Sequence, residues 1–368
     1  MDLHLANPNL KNPEFYVPGL PADWVTAHYG IPADEVAKLG SAENPFGPSP
    51  KAMASITAEL GNVHLYSPWT AEPLREALAA KYGYTPENFV CGSGETEVIA
   101  LIIRAFAEPG GQVLMTRPCF PMYHLFVEAE GRHPVYIDTP TMTCEVDAYI
   151  DAIGPDTRIV FVTNPHSPSG TWLEEADVRR IVEAAPHALV ALDEAYVHYS
   201  DTPGYIHLAA EYDNLIVLRT FSKAFGLAGL RLGFGVAHPD LIPPLLAVKP
   251  TWNVGRLQIA GGIAALTDDE HVDRTIAAIL EGKAHVTARF GELDRFRLVP
   301  GTRSNFMLIE ILDPDTDSTL VFEGLLERGV IVKDGSVSFR GLEKRYLRSD
   351  INLPHRMDHL VDALADLP

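Results

Sequence analysis

The sequence predicts an α/β fold: a mostly parallel central sheet with helices on both faces, followed by a smaller α+β domain. Three observations lead there. Short apolar runs alternate with stretches of helical spacing from about residue 70 to residue 236. The chemically versatile motifs fall just after those runs, where loops converge at the carboxyl ends of parallel strands. From about residue 254 the pattern shifts to long helical stretches and then to separate strand-like runs. With 368 residues and 46% hydrophobic content, the chain can build more than one core.

Residues 1–50 are rich in Pro and Gly and weakly periodic, so 1–44 reads as an arm that packs with the smaller domain. The large domain spans 45–254. Its helices include Glu72 to Tyr82 (EPLREALAAKY) and a stretch through Ala107 that begins near Glu95. Its strands are Val113–Met115, Arg158–Thr163, Leu189–Asp193, Leu215–Leu218 and Leu232–Val236. The smaller domain, 255–368, is helical to roughly residue 294. Strands follow at Asn305–Ile311, Val330–Lys333 and Tyr346–Ile351.

A formal net charge of -20 argues against nucleic acid or an anionic membrane as partner. Cys91, Cys119 and Cys144 form no Cys-x-x-Cys pair and no cluster at metal-ligand spacing. That fits a reducing compartment and no metal. The start, MDLHLANPNLKNPEF, lacks a basic stretch followed by an apolar one. No apolar run reaches membrane-spanning length. The expected location is the cytoplasm.

Four segments carry chemistry. In FSKAFGLAGLR, Lys223 follows an apolar strand and is surrounded by small residues, with Arg231 eight positions on. A lysine amine is nucleophilic only when neutral, and burial or a nearby cation such as Arg231 favours that form. Lys223 is a candidate for a Schiff base. In LDEAYVHY, a buried run delivers Asp193, which suits a protonated pyridine nitrogen, and Tyr196 follows as a donor to a phenolate. In VCGSGETEVIALIIRAF, Gly92 and Gly94 precede a helix that starts at about Glu95, a backbone setting for phosphate. In VTNPHSPSGT, two prolines and a glycine make a rigid turn at the same end of the sheet. A lysine for an aldehyde, an aspartate for a pyridinium, a tyrosine for a phenolate and an arginine with a helix N-terminus for a phosphate together describe pyridoxal 5'-phosphate.

Carried by these motifs, and by AENPFGPSP, YSPWTAEPLREALA, RPCFPMY, KPTWNVGRLQIA and YLRSD, the chain resembles the pyridoxal-phosphate aminotransferases of fold type I. Within them it is similar to the histidinol-phosphate aminotransferase subgroup, almost from end to end. The resemblance implies roles. Lys223 would bond the cofactor aldehyde and then move the substrate Cα proton. Asp193 would pair with the pyridine nitrogen and Tyr196 with the phenolic oxygen. Ser222, Arg231 and the backbone at Gly94, Glu95 and Thr96 would hold the phosphate. Phe120 would stack on the ring, and Ser167 would stand near the phenolic oxygen. Tyr66 would reach the phosphate of a neighbouring subunit, implying a homodimer with shared sites. Arg348 would grip the substrate carboxylate, with Asn44 and Tyr16 in the segment over the substrate.

The chain departs from the subgroup in places. Asn164-Pro165-His166-Ser167-Pro168-Ser169-Gly170 stands where the pattern is Asn-Pro-Asn-Asn-Pro-Thr-Gly. Ser167 therefore replaces a longer donor. His166 reads as a solvent-facing turn residue or as an extra acid or base. Ser349 and Asp350 follow Arg348, and strand alternation puts Asp350 on the face of Arg348, where it would compete with a substrate carboxylate. Leu20 and Ala42 stand where Lys and Asn are common. Lys249, Arg256 and Lys333 are candidates to supply the missing cations. These changes, with Trp252 where Phe is common, leave an aromatic or other biosynthetic amino acid open as substrate. Two further alternatives stay open on the same fold. One is other Cα chemistry, such as the decarboxylation of threonine phosphate. The other is a non-catalytic binding protein, which intact Lys223, Asp193, Tyr196, Arg231 and Arg348 oppose.

Overall fold

Each central strand alternates apolar residues between two faces, and both faces are covered. In the computed structural model, which describes residues 5, 7–11 and 13–368, Val160, Val162, Val190, Leu192 and Val217 enter one core. Ile159, Phe161, Leu189, Ala191, Ile216 and Leu218 enter the core on the opposite face. A run without polar positions is what a strand buried on both sides requires. The start of the chain, on which the reading of a missing leader partly rests, includes residues outside the described ones.

Seven strands form the main sheet: β1 (Phe89–Gly92), β2 (Gln112–Arg117), β3 (His133–Asp138), β4 (Thr157–Thr163), β5 (Leu189–Asp193), β6 (Leu215–Thr220) and β7 (Gly233–Ala237). Their spatial order is β1-β7-β6-β5-β4-β2-β3. All neighbours pair in parallel except β7, which runs antiparallel to both β6 and β1. Strands β1 and β3 carry little sequence signal, since one ends in Cys-Gly and the other contains Pro134. Thr163 pairs with Asp193, and Asp193 with Leu218, so the carboxyl ends of β4, β5 and β6 lie side by side.

The second sheet comprises β8 (Phe296–Leu298), β9 (Phe306–Ile311), β10 (Lys333–Asp334) and β11 (Tyr346–Asp350), in the antiparallel order β10-β11-β9-β8. The run Val330–Lys333 does not form one strand. Val330–Ile331 pairs in parallel with Ala37–Lys38 near the amino end, whereas Lys333 pairs with Arg348 on β11. The helices Arg256–Ala265 and Asp269–Phe290 account for the helical stretch that precedes this sheet. Among the described residues no helix is long and apolar enough to cross a membrane.

A buried ion pair fixes the chain just beyond β5. Glu194 is fully buried, and its Oε2 lies 2.7 Å from Arg219 Nη2 on β6. Its Oε1 accepts the Tyr205 backbone N–H at 2.5 Å. Removing one member of such a pair leaves a buried charge alone. Glu194→Ala is therefore expected to destabilise the protein by about 3–5 kcal/mol. The midpoint of urea denaturation measures it; an unchanged midpoint would mean that the pair contributes nothing net.

Candidate active site

The carboxyl ends of β4, β5 and β6 open into a cavity of about 420 Å³, the size expected of a small-molecule site. Ser41, Thr163, Ser167, Asp193, Thr220 and Lys223 lie along its wall on the amino-terminal segment and main sheet; Lys333, Phe339 and Arg348 line it from the second. The cavity thus lies between the two sheets.

Asp193, the last residue of β5, is buried. Its Oδ1 accepts the Ala195 N–H at 2.9 Å, and its Oδ2 accepts the Tyr123 hydroxyl. Tyr123 is held flat against Phe161, with ring centroids 4.4 Å apart, and its hydroxyl also lies 3.0 Å from Thr163 Oγ1. Burial raises the Asp193 pKa, while the Tyr123 and Ala195 hydrogen bonds oppose that rise. Beside it the Glu95 carboxyl is also buried, and its Oε1 has no hydrogen-bond partner. Burial, reinforced by the negative charge of Asp193, holds the Glu95 pKa well above the ordinary carboxylate range. Of the two acids, Glu95 holds its proton the more strongly.

Lys223 projects into the cavity from the loop after β6. Its Nζ donates to the Ser41 carbonyl at 3.1 Å and stands 5.2 Å from the Tyr196 ring centroid. Withdrawal from water lowers the amine's pKa, and the charge of Arg348 lowers it further. Arg348, rather than the Arg231 expected from the sequence, is the leading cation acting on it. Arg231 instead faces Gly94. That glycine enters the helix Glu95–Phe106 with φ of 80°, and a Cβ there would overlap the Arg231 guanidinium. The helix N-terminus and the guanidinium meet as two positive features without a side chain between them. Thr96 lines the cavity beside them, and Ser222 Oγ accepts from Thr220 Oγ1 at 3.0 Å.

Phe120 and Tyr196 also line the cavity. Phe120 stands edge-on to Tyr123, with centroids 5.6 Å apart. Tyr196 stands edge-on to Phe306, and burial pushes its hydroxyl pKa up to about 12. Ser167 lines the cavity with its buried Oγ unpartnered. Arg348 lies over Phe306 and Phe339, 4.9 and 5.6 Å from their centroids, and its buried Nε is also unpartnered. Tyr16 lines the cavity under Lys333, whose Nζ is 5.2 Å from the ring centroid. Burial pushes the Lys333 amine down to about 8.

Some expectations need correction. Asn44 does not line the cavity. Its Nδ2 donates to the Ala224 carbonyl at 2.9 Å and to Thr275 Oγ1 at 3.1 Å, so the side chain braces the Lys223 loop from behind. His166 neither faces solvent nor lines the cavity. It is 1% exposed, its Nδ1 lies 2.8 Å from Ser169 Oγ and its Nε2 3.0 Å from Thr116 Oγ1. Burial pushes its pKa down to about 4, so it is neutral and structural. Of the three candidate cations only Lys333 reaches the cavity. Lys249 donates to the Trp69 carbonyl at 2.7 Å, and Arg256 pairs with Glu59. Tyr66 is 75% exposed, away from this cavity, and stacks on Trp252 at 4.2 Å.

Sequence reasoning passed over Tyr123, Thr220, Ser41 and the Glu95 side chain. Tyr123 was the most accessible of these. It lies one helical turn beyond Phe120 in RPCFPMY, a spacing that puts both on one face.

The family model for aminotransferase class I and II matches residues 34–364. The chain belongs to that family. It is an aminotransferase whose cofactor is pyridoxal 5'-phosphate. It is 37% identical over 351 residues to a histidinol-phosphate aminotransferase of Symbiobacterium thermophilum, covering 95% of this chain and 94% of that one. The structure of histidinol-phosphate aminotransferase from Sinorhizobium meliloti with pyridoxal-5'-phosphate matches it with a TM-score of 0.86 and 23% identity, over 98% of this chain and 97% of that one. The L-threonine-O-3-phosphate decarboxylase of Porphyromonas gingivalis matches with a TM-score of 0.79 and 20% identity, over 89% of this chain and 98% of the other. At such identities the structural likeness is one of fold.

The residues present suit the aminotransferase cofactor. The Gly94–Arg231 cradle suits a phosphate, the orphan Ser167 Oγ suits a polar ring substituent, and Asp193 is a carboxyl held in place by two donors. A hydrogen bond to a charged group contributes about 1.5–3 kcal/mol. Tyr123→Phe is therefore expected to weaken cofactor binding by about 10-fold to 100-fold, measured by fluorescence titration of the cofactor-free protein. Wild-type affinity would show that Ala195 and the surrounding backbone suffice to hold Asp193.

Proposed function

We propose that this aminotransferase takes histidinol phosphate as amino donor and a 2-oxo acid as acceptor, with Lys223 as its covalent and proton-moving residue. The observation that carries this reading is the convergence of Lys223, Asp193, Tyr196, Arg231 and Arg348 on one cavity, with Lys333 added across β10 and β11. The names of the relatives point the same way.

When bound, pyridoxal phosphate supplies an aldehyde for a covalent link and a ring that accepts the electron pair left as the substrate Cα loses its proton. The protein's residues divide the remaining work. Asp193, whose negative form the Tyr123 and Ala195 hydrogen bonds favour, would hold a proton on the pyridine nitrogen. Tyr196, whose hydroxyl stays protonated, donates to the phenolic oxygen, and Ser167 assists it. Arg231, Ser222, Thr96 and the backbone at Gly94 and Glu95 bind the phosphate. Phe120 packs against the ring. Lys223, with its lowered pKa, would take the Cα proton and deliver it to the former aldehyde carbon of the cofactor, across the substrate nitrogen. Arg348 binds the carboxylate of the 2-oxo acid. Lys333 and Tyr16 face the distal anion of the donor.

The reading has residues 45–254 hold the cofactor and residues 255–368, with the 1–44 arm, complete the substrate side. It also includes a cytoplasmic homodimer. Val63, Leu65, Tyr66 and Trp252 form an exposed apolar group, with Tyr66 75% exposed. In a dimer Tyr66 reaches the partner's cofactor phosphate.

Single turnovers test the reaction. The loaded protein is mixed in turn with histidinol phosphate, phenylalanine, glutamate and phosphothreonine, and the cofactor spectrum, keto product and carbon dioxide are followed. Histidinol phosphate is expected to give the pyridoxamine form with a stoichiometric keto product. Carbon dioxide from phosphothreonine without the pyridoxamine form would sink the reading. Lys223→Ala is expected to slow transfer by about 100-fold to 10,000-fold. Sedimentation of the loaded protein as a monomer would remove the shared site, and Tyr66→Phe should weaken cofactor binding only in a dimer.

A further inference from the structure

Residues 39–42 form a strap beside the cavity, which Ser41 lines. The Gly40 carbonyl accepts from Arg348 Nη2 at 3.3 Å, and the Ser41 carbonyl accepts from Lys223 Nζ at 3.1 Å. The backbone N–H groups of Ser41 and Ala42 turn the other way. Both donate to one oxygen of Asp350, Oδ2, at 2.7 and 2.5 Å. Two successive N–H groups on one anion make a nest, and the left-handed Ala42, with φ of 51°, belongs to it. Asp350 donates its own N–H to the Leu39 carbonyl at 2.8 Å. Its second oxygen, Oδ1, lies 3.4 Å from Arg348 Nη2. Asp350 is 3% exposed, so these partners take the place of water.

We propose that Asp350 is a positioning and specificity residue of this aminotransferase, which ties the 39–42 strap over Lys223 and occupies one edge of Arg348. This rests on Arg348 as the carboxylate anchor. The charged and titratable groups around Asp350 are Arg348, Lys223, Lys333, Tyr16, Tyr196 and Tyr199. Burial raises the Asp350 pKa, and Arg348 with the Ala42 and Ser41 N–H groups opposes that rise; the ionised carboxylate has two consequences. It draws on the Nη2 that a substrate carboxylate would share, which weakens the grip on simple carboxylates and favours a donor with a second anion. It also supports the protonated form of Lys223, opposing Arg348.

Asp350→Asn removes the charge and keeps an acceptor; Asp350→Thr removes both carboxylate oxygens and serves if the first variant fails to fold. Hydrogen exchange on the cofactor-free chain reads the strap independently of any reaction. In the Thr variant the amides of Ser41 and Ala42 are expected to exchange at least about tenfold faster, with the rest of β11 unchanged. In the loaded enzyme, either variant is expected to lower the KM for a 2-oxo acid about threefold to tenfold with little change in kcat. The pH midpoint of the cofactor absorbance change should move down, since an anion near Lys223 has gone. Wild-type exchange at residues 41–42 would overturn the tie. An unchanged or higher KM with an unmoved midpoint would overturn the role at Arg348. If the wild type does not transfer amino groups at all, the substrate reading fails, and the exchange result still decides the tie.

Discussion

A lysine amine taken out of bulk water is costly while it keeps its proton, and the rest of the site is arranged around that constraint. Lys223 has one backbone carbonyl as partner, an aromatic ring beside it, and an arginine that disfavours its charge. The neutral amine is the form that attacks an aldehyde. The loop that carries Lys223 must therefore be held without a carboxylate pairing to the amine. Asn44 does so by bonding the backbone of Ala224 and the side chain of Thr275, and Gly226 by a left-handed turn packed against the Gly47 carbonyl.

The acids of the site obey a complementary rule. Two buried carboxyls side by side cannot both ionise cheaply. Hydrogen bonds favour the charge on Asp193, which has the Tyr123 hydroxyl and the Ala195 N–H, whereas one oxygen of Glu95 has no partner. The better-partnered acid is the one at the end of β5. Asp350 on the other sheet is stabilised differently, by an arginine and two backbone donors. Burial raises the pKa of all three acids, and each has its own set of partners that opposes or reinforces that rise.

The cavity depends on the meeting of two sheets. The main sheet presents Asp193, Thr220 and Lys223, and the second presents Lys333 and Arg348 as cross-strand neighbours. The strap at residues 39–42 bonds to both. Ala42 adopts a left-handed conformation that costs a non-glycine residue roughly 1–2 kcal/mol, and the bonds to Asp350 offset it.

The sequence alone determined the architecture and the chemistry-bearing positions. Alternating apolar runs specify strands buried on both faces, and local motifs place Lys223, Asp193, Tyr196 and the helix at Glu95 just beyond them; these signals depend on neighbours in the chain. Strands β1 and β3 escaped because Gly92 and Pro134 blur the local pattern. The charge states and partners were settled only by tertiary structure. Which cation acts most on Lys223, which of Glu95 and Asp193 holds its proton the more strongly, and whether His166 meets water all depend on groups distant in sequence. Tyr123 is 70 residues from Asp193, and Ala42 is 308 from Asp350. Electrostatics and desolvation act through space, so no spacing along the chain encodes them.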